Sequence, residues 1–369
     1  MKKVVVGMSG GVDSAVAAFL LKEKKYEVVG LFMRNWDSNL NDDIKGNPNM
    51  KSDNCEQDKD LEDAKAVCKS LDIPFFEVNF VKEYWDLVFS YFLDELKRGR
   101  TPNPDIMCNK YIKFDLFIKE AEKLGANFIA TGHYARIEDG ILKRGKDNNK
   151  DQTYFLTQIN KKQLDNVIFP IGDLNKEEVR KIAEAQNIPV SAKKDSTGIC
   201  FIGERNFKPF LQNYLPNIPG KIINIDNNEE LGSHEGLMYY TIGQRKGLNI
   251  SAEAPLFVVG KNLEKNYLLV AKNKNNKHLM SNSAKITDIN WFGKDKVVSC
   301  TAKFRYRQKD NDVTIKWLHE TEAIVSYIEP IKAVTPGQAC VFYLGEECLG
   351  GGIIYEVYNK EHKKIVFYE

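Results

Sequence analysis

Two cysteine segments and one glycine-rich loop hold the residues best suited to chemistry. Gly7-Met8-Ser9-Gly10-Gly11-Val12-Asp13-Ser14 joins a short apolar run to a helix-patterned segment. Backbone N–H groups at a helix N-terminus carry partial positive charge, and glycines let that backbone come close to an anion. Ser9 and Ser14 add hydroxyl donors, so the loop suits phosphate oxygens. A Walker loop would need Gly at 12 and Lys at 13, where this chain has Val12 and Asp13. A carboxylate cannot grip a γ-phosphate as lysine does, but Asp13 can help to hold Mg²⁺. The plain alternative is a strand–turn–helix corner built on glycine.

Cys108 follows Thr101-Pro102-Asn103-Pro104-Asp105-Ile106-Met107. Its two prolines argue against a regular helix, so Cys108 is expected between a shaped loop and a helix over 113–124. A helix N-terminus would favour thiolate there. Cys200 follows Lys193-Lys194-Asp195-Ser196-Thr197-Gly198-Ile199. Nearby lysines would again favour thiolate, and the glycine turn suggests exposure. The alternative for each is a small buried apolar residue, the usual fate of a free cysteine. That alternative is expected for Cys68, Cys300, Cys340 and Cys348, while Cys55 is undecided. No Cys-x-x-Cys pair occurs and the five histidines are dispersed, which speaks against structural zinc.

These segments need a frame. Residues 3–8, 27–33, 75–80 and 127–131 read as strands, and 13–24, 60–71, 84–97, 113–124 and 176–187 as helices. Such alternation predicts an α/β layer with a parallel sheet to about residue 205. The breaker cluster Leu-Pro-Asn-Ile-Pro-Gly at 215–220 opens a strand-rich region, with strands over 220–224, 255–260 and 266–271. From about 280 the pattern is β throughout, which suggests a small barrel. The expected domains are 1–205, 206–279 and 280–369. Residues 38–54 are polar and turn-rich and are expected to form a mobile loop.

With 369 residues, two or three domains are expected. Net charge is only +2, so a nucleic-acid surface must come from local clustering. Residues 270–309 hold ten Lys/Arg against two Asp, and Arg305 and Arg307 flank Tyr306 at strand spacing. A solvated charged face is the plainer explanation of such a run. The acidic residues at 53–63 need only a helix-start role. No apolar run approaches a membrane span, and the chain enters a strand at once, which leaves no room for a leader peptide. Seven scattered cysteines suggest a reducing, cytoplasmic setting rather than a disulfide framework.

The loop at 7–14 resembles the pyrophosphate-binding loop of the ATP-pyrophosphatase superfamily. The whole chain resembles the tRNA-specific 2-thiouridylases. That resemblance rests on the strings at 7–14, 35–37, 101–114, 130–136, 150–156, 195–205, 241–248, 304–308 and 336–338. The Asn-rich loop at 38–54 departs by its length.

The resemblance implies a nucleotide-binding sheet of adenine-nucleotide α-hydrolase type, a small mostly-β central domain and a tRNA-binding β-barrel. It implies that Gly7, Met8, Ser9, Gly10, Gly11, Val12, Asp13 and Ser14 hold ATP with Mg²⁺, bracketed by Met33 and Gly132. Cys200 would carry a persulfide, and Cys108 would be the nucleophile that ends in a transient disulfide with it. Asn103, Pro104 and Asp105 would meet the target base. His133, Lys150, Asp151, Gln152, Arg305, Tyr306 and Gln338 would contact tRNA, although His133 also fits a satisfied structural histidine. A cysteine desulfurase or sulfur-relay protein, and a reductant, are the implied partners.

Two other readings share parts of this pattern. A synthetase of the same superfamily would adenylate a small molecule, but it has no use for the two cysteine segments. A redox-switched RNA binder would use the cysteines but not the loop. A 4-thiouridine enzyme is expected to carry an RNA-binding domain before the loop, and only eight residues precede Ser9. A 2-thiocytidine enzyme would need Cys-x-x-Cys ligands.

Overall fold

The computed structural model describes residues 1–48, 56–195, 198–200, 202–361 and 363–365. The chain divides into two compact units. One comprises Met1–Phe89, Pro104–Asn206 and Gly345–Leu349; the other comprises Ser90–Asn103, Phe207–Leu344 and Gly350–Glu369.

The first unit is built on β1 (Lys3–Met8), α1 (Val12–Glu23), β2 (Glu27–Arg34), α2 (Glu56–Ser70), β3 (Phe75–Asn79) and β4 (Phe128–Ala130). The strands form a parallel sheet in the order β3, β2, β1, β4 and then Val167–Ile168. Val4, Val5 and Val6 on central β1 are fully buried, as a strand covered on both faces requires. Ala15, Ala17 and Ala18 of α1 are also fully buried, and their small side chains let the helix lie close to the sheet. The parallel α/β layer is therefore as expected from the alternation of strands and helices. The C-terminal ends of β1, β2 and β4 place Ser9, Arg34 and Thr131 along one edge, where ligands bind in open sheets of this type.

Three expectations need correction. Residues 38–48 are not a loose loop. Asp43 is fully buried, and its Oδ2 accepts from Trp36 Nε1 at 3.0 Å and from Arg205 Nε at 2.9 Å. Asn206 N donates to Gly46 O as well. A buried carboxylate without a cation would be costly, so the charge orders the segment around it. Residues 49–54 and Cys55 lie outside the described residues. Asp43→Ala takes a fully buried carboxylate away from the buried Arg205 guanidinium. It is expected to destabilise the first unit by about 3–5 kcal/mol, read from urea unfolding.

The second correction concerns Cys108. Helical structure starts at Pro104, not at 113: Pro104–Met107 is a short α-helical turn, Cys108–Leu116 is a π-helix and Phe117–Lys123 is α-helical. Proline is tolerated in a first turn because its missing N–H would have had no partner there. A second π segment, Trp85–Phe89, interrupts the helix expected over 84–97.

The second unit contains a four-stranded sheet in the order Leu256–Asn262, Tyr267–Lys272, Gly220–Asn224, Glu230–His234. It also contains the antiparallel barrel of Met280–Trp291, Ser299–Lys303, Asn311–Trp317, Ala323–Lys332, Ala339–Leu344 and, from Gly350 on, Glu347–Tyr358. Pairing of the first strand with the last closes it and leaves no open edge. The third correction falls here. Arg305, Tyr306 and Arg307 lie beyond the end of Ser299–Lys303, in a turn held by Gln308 N donating to Arg305 O. They are not on a strand.

Candidate functional site

The turn after β1 is shaped by its own serines. Ser9 N donates to Ser14 Oγ at 3.1 Å, the two hydroxyl oxygens lie 3.0 Å apart, and Ser14 Oγ donates to Gly11 O at 3.1 Å. Gly10 has φ +69°, and a Cβ there would lie 2.3 Å from the Asp60 carbonyl oxygen. Only glycine fits that conformation and that approach. Gly11 caps α1 without any side-chain bond, so the helix N-terminus is open to an anion. Gly132, just past β4, is also obligatory: a Cβ would stand 2.8 Å from Ser14 N. Met33 is buried near the end of β2, with its Cε 3.6 Å from the Cβ position of Gly7. The loop residues, Met33 and Gly132 are thus brought together at one edge of the sheet.

An ionic lattice surrounds this loop, and the sequence offered little sign of it. Lys176 Nζ lies 2.8 and 2.9 Å from the two carboxylate oxygens of Asp13, and 2.9 Å from Asp195 Oδ1. Tyr134 OH donates to Asp13 Oδ1 at 2.9 Å. Asp195 also receives Lys150 Nζ at 2.6 Å and Arg180 at 2.6 Å. Burial alone would raise the Asp195 pKa, but the ammonium groups of Lys150 and Lys176 outweigh it and hold the carboxyl ionised. Lys193 donates to Gly10 O at 3.0 Å and pairs with Asp60 and Asp63. It therefore braces the glycine-rich loop, so that of the two nearby lysines expected to favour a Cys200 thiolate, Lys193 is engaged elsewhere.

The two cysteines, 92 residues apart in the chain, face each other with Sγ–Sγ 3.7 Å. Cys200 is half-buried, and its backbone is pinned on both sides: its N–H donates to Asp105 Oδ1 at 3.0 Å, and its carbonyl accepts from Tyr84 OH at 2.8 Å. Cys108 is fully buried, which corrects the expectation that its setting favours thiolate. Burial pushes its thiol pKa well up, and the adjacent Cys200 sulfur adds to the effect. The Cys200 thiol moves the other way. The Cys108 thiol donates to it, and Lys113 adds both charge and a hydrogen bond. The Lys113 ammonium thus favours negative charge on the Cys200 side of the pair.

Lys113 is the functional residue that the sequence reading missed. Its pKa is raised: burial would lower it, but the charge of the Cys200 and Cys108 sulfurs prevails. Cys108 and Lys113 are five residues apart, which an α-helix would place on divergent faces. In the π-helix an i→i+5 bond runs from Phe117 N to Ile112 O, and this wider turn brings positions five apart back to one side. The Asn109 and Phe114 pair, both buried, shows the same spacing.

The other expected site residues are dispersed in their present roles. His133 is buried, with Nδ1 2.7 Å from Thr131 Oγ1, and burial with the Lys113 charge pushes its pKa well down. It is therefore neutral imidazole. The Asp151 carboxylate is taken up by Gly145 N, Thr153 N and Thr153 Oγ1. Gln152 Oε1 accepts from Tyr134 N at 3.0 Å. In the second unit, Gln338 Nε2 donates to Thr101 O at 2.7 Å, and Gly337 packs against the Thr101 backbone. The Pro336-Gly337-Gln338 turn so grips the start of the segment that runs through Asn103. Arg305 donates to Ile242 O at 2.9 Å and Ala333 O at 3.0 Å. Of the basic run, Lys285, Lys296 and Lys303 have acidic partners.

Comparison with known proteins now adds to this geometry. Residues 2–204 match the family described as tRNA methyl transferase HUP domain, a nucleotide-binding fold. Residues 208–272 match the tRNA methyl transferase PRC-barrel domain, and 281–354 match the aminomethyltransferase beta-barrel domain. The chain is 53% identical to the tRNA-specific 2-thiouridylase MnmA of Lysinibacillus sphaericus (strain C3-41), over 98% of this chain and 96% of that protein. It is 53% identical to the enzyme of that name from Mycoplasma mycoides subsp. mycoides, over 96% of this chain and 99% of that protein. It is 55% identical to the tRNA-specific 2-thiouridylase MnmA 1 of Geobacillus kaustophilus, over 96% of both. A glycine-rich loop at the sheet edge, two facing thiols and full-length similarity at this level lead to one conclusion: the chain belongs to the tRNA-specific 2-thiouridylase family.

Proposed function

We propose that this protein uses ATP to replace the C2 oxygen of a tRNA wobble uridine with sulfur. The observation that carries the reading is the pair of sulfurs 3.7 Å apart, with the Lys113 ammonium on the Cys200 side.

The C2 oxygen belongs to a urea-like carbonyl and leaves poorly. Its attack on the α-phosphorus of ATP forms a C2–O–AMP bond and releases pyrophosphate. The open N-terminus of α1, with Ser9, Gly10, Gly11 and Ser14, fits the departing phosphates. Mg²⁺ would neutralise charge on the pyrophosphate, and Asp13 is the carboxylate in the loop that fits it. Met33 and Gly132 bracket the nucleotide.

Sulfur arrives on Cys200. Its thiolate attacks the outer sulfur of a donor persulfide, from a cysteine desulfurase or a sulfur-relay protein, and the donor leaves as thiolate. The terminal sulfur of the Cys200 persulfide then displaces AMP at C2. Cys108 attacks Cys200 Sγ, breaks the S–S bond to the base-bound sulfur and leaves the thiocarbonyl with a Cys108–Cys200 disulfide. The alternative order, in which Cys108 first frees sulfide from the persulfide, ends in the same disulfide. A two-electron reductant restores both thiols.

The base must leave the anticodon stack to reach this chemistry. Asn103, Pro104 and Asp105 contact it in this reading. His133, as neutral imidazole, Lys150, Gln152, Arg305, Tyr306 and Gln338 act on the tRNA side, with Asp151 shaping its loop. Residues 1–205 are the catalytic domain, 206–279 the central domain and 280–369 the RNA-binding barrel; the three matched families support that division. No helix among the described residues is long and apolar enough to cross a membrane, and a cytoplasmic site of action fits the reducing requirement.

The test is direct. Protein, ATP, Mg²⁺, a persulfide donor and unmodified tRNA are incubated, and thiolated uridine is read as a mercury-gel shift. A shift that requires ATP is expected. No shift with active donor and folded protein would refute the reading.

A further inference from the structure

The segment 241–248 belongs neither to the glycine-rich loop nor to the thiol pair, yet it is tightly built. Thr241 N donates to Gln244 Oε1 at 3.0 Å and Gln244 Nε2 donates to Lys246 O at 2.9 Å, so one side chain spans the turn. Gly243 N donates to Val258 O at 2.8 Å and Val258 N to Gln244 O at 2.9 Å, which seats the turn on the strand Leu256–Asn262. From the barrel, Arg305 Nη2 donates to Ile242 O, Ala333 O and Thr335 Oγ1. Gly243 has φ +84°, and a Cβ there would lie 2.9 Å from Ala333 Cβ, so the close approach needs glycine. This order presents two exposed cations, Arg245 and Lys246.

More cations gather beside the turn. Lys332, next to Ala333, has its Nζ 4.6 Å from the centre of the Phe257 ring, next to Val258. Its pKa is lowered by burial and then by the charges of Lys274 and Arg305. Among the described residues, none of Arg245, Lys246, Lys274 and Lys332 forms an ion pair, whereas Lys221, Lys285 and Lys296 of the same unit each meet a glutamate. A surface that served solubility alone would intersperse both signs. Cations crowded without acids repel one another, and a bound polyanion relieves that repulsion. Three of the four are lysines, which are depleted in protein–protein interfaces and suit a phosphodiester backbone.

We infer that Arg245, Lys246, Lys274 and Lys332 form a patch, built on the 241–248 turn, that binds RNA backbone phosphates without reading bases. The inference rests on the reading that tRNA is the substrate, and it gives the 241–248 string a role.

Filter binding of unmodified tRNA to the full chain, from about 50 to 200 mM salt, tests it. A variant carrying Arg245→Gln, Lys246→Gln, Lys274→Gln and Lys332→Gln is expected to lose about 3 from the magnitude of the slope of log affinity against log salt, close to one per lost phosphate contact. Its affinity near 100 mM salt is expected to fall by about a hundredfold or more. ATP binding, and persulfide loading of Cys200 read by intact mass, are expected to stay at wild-type levels. If the fourfold variant does not fold, Arg245→Gln with Lys246→Gln, and Lys274→Gln with Lys332→Gln, should each show about half the loss of slope. A wild-type slope in the folded fourfold variant, or in both pairs, would overturn the inference alone. A wild-type slope together with slower sulfur loading from a donor protein would overturn it in favour of an acidic protein partner. A wild-type protein that binds no tRNA would overturn the tRNA reading and the inference with it.

Discussion

Cys200→Ser is expected to reduce tRNA thiolation to background, a loss on the order of a thousandfold or more, because serine cannot carry persulfide sulfur. The fold should survive. Cys200 is half-buried and replaces one small side chain with another, and its backbone contacts to Asp105 and Tyr84 do not use the sulfur. The companion Cys108→Ser is expected to lose product for a different reason. Its Cys200 still accepts sulfur, so a persulfide should accumulate and be visible by intact mass as one added sulfur atom. Equal loss of loading in both variants would contradict the separate roles. The partial persulfide test matters because thiolation alone cannot tell carrier from nucleophile.

The second large effect is expected at Lys113. Removing an opposite charge in contact with a thiolate shifts its pKa by about 1–3 units. The direction follows from charge: the Lys113 ammonium stabilises the charged form, so Lys113→Met raises the Cys200 pKa. At pH 7 the thiolate fraction falls by about tenfold per unit, and the greater nucleophilicity of the more basic sulfur returns nearly half of this logarithmically. Alkylation of Cys200 in the Cys108→Ser background should therefore slow by roughly tenfold at pH 7. It should recover at higher pH, with the midpoint of the rate profile displaced upward. Lys113→Arg should keep the lower midpoint. A profile unchanged in Lys113→Met would remove Lys113 from the mechanism.

Much of this could be read from the residues. Gly10 and Gly132 sit where a Cβ cannot be placed, so the sequence strings around them carry a steric demand that pattern alone detects. Turn-rich surroundings and the family strings set Cys108 and Cys200 apart from Cys68, Cys300, Cys340 and Cys348, although Cys108 is buried as those four are. Family membership sets aside the small-molecule synthetase and the redox-switched RNA binder.

What could not be read has a common cause. Lys113 reaches the sulfurs through a π-helix, and periodicity arguments assume 3.6 residues per turn. Lys176, Asp13 and Asp195 come from three distant parts of the chain, and ion pairs of that kind leave no local signature. The lysines before Cys200 read as its neighbours in sequence, whereas Asp60 and Asp63 on α2 claim Lys193 in space. The polar composition of 38–48 suggested mobility because a buried Asp43–Arg205 pair is invisible until both partners are placed. Arg305 reads as a phosphate ligand on a strand, yet it ties together three carbonyl or hydroxyl oxygens from a turn.

The most direct test of the central claim is a single turnover without reductant. Cys200 is loaded with one sulfur, ATP and tRNA are added, and the reaction is quenched with an alkylating agent. One intramolecular Cys108–Cys200 disulfide is expected for each 2-thiouridine formed, by peptide mass mapping. Thiouridine formed in full yield with both cysteines recovered as alkylated thiols would contradict it.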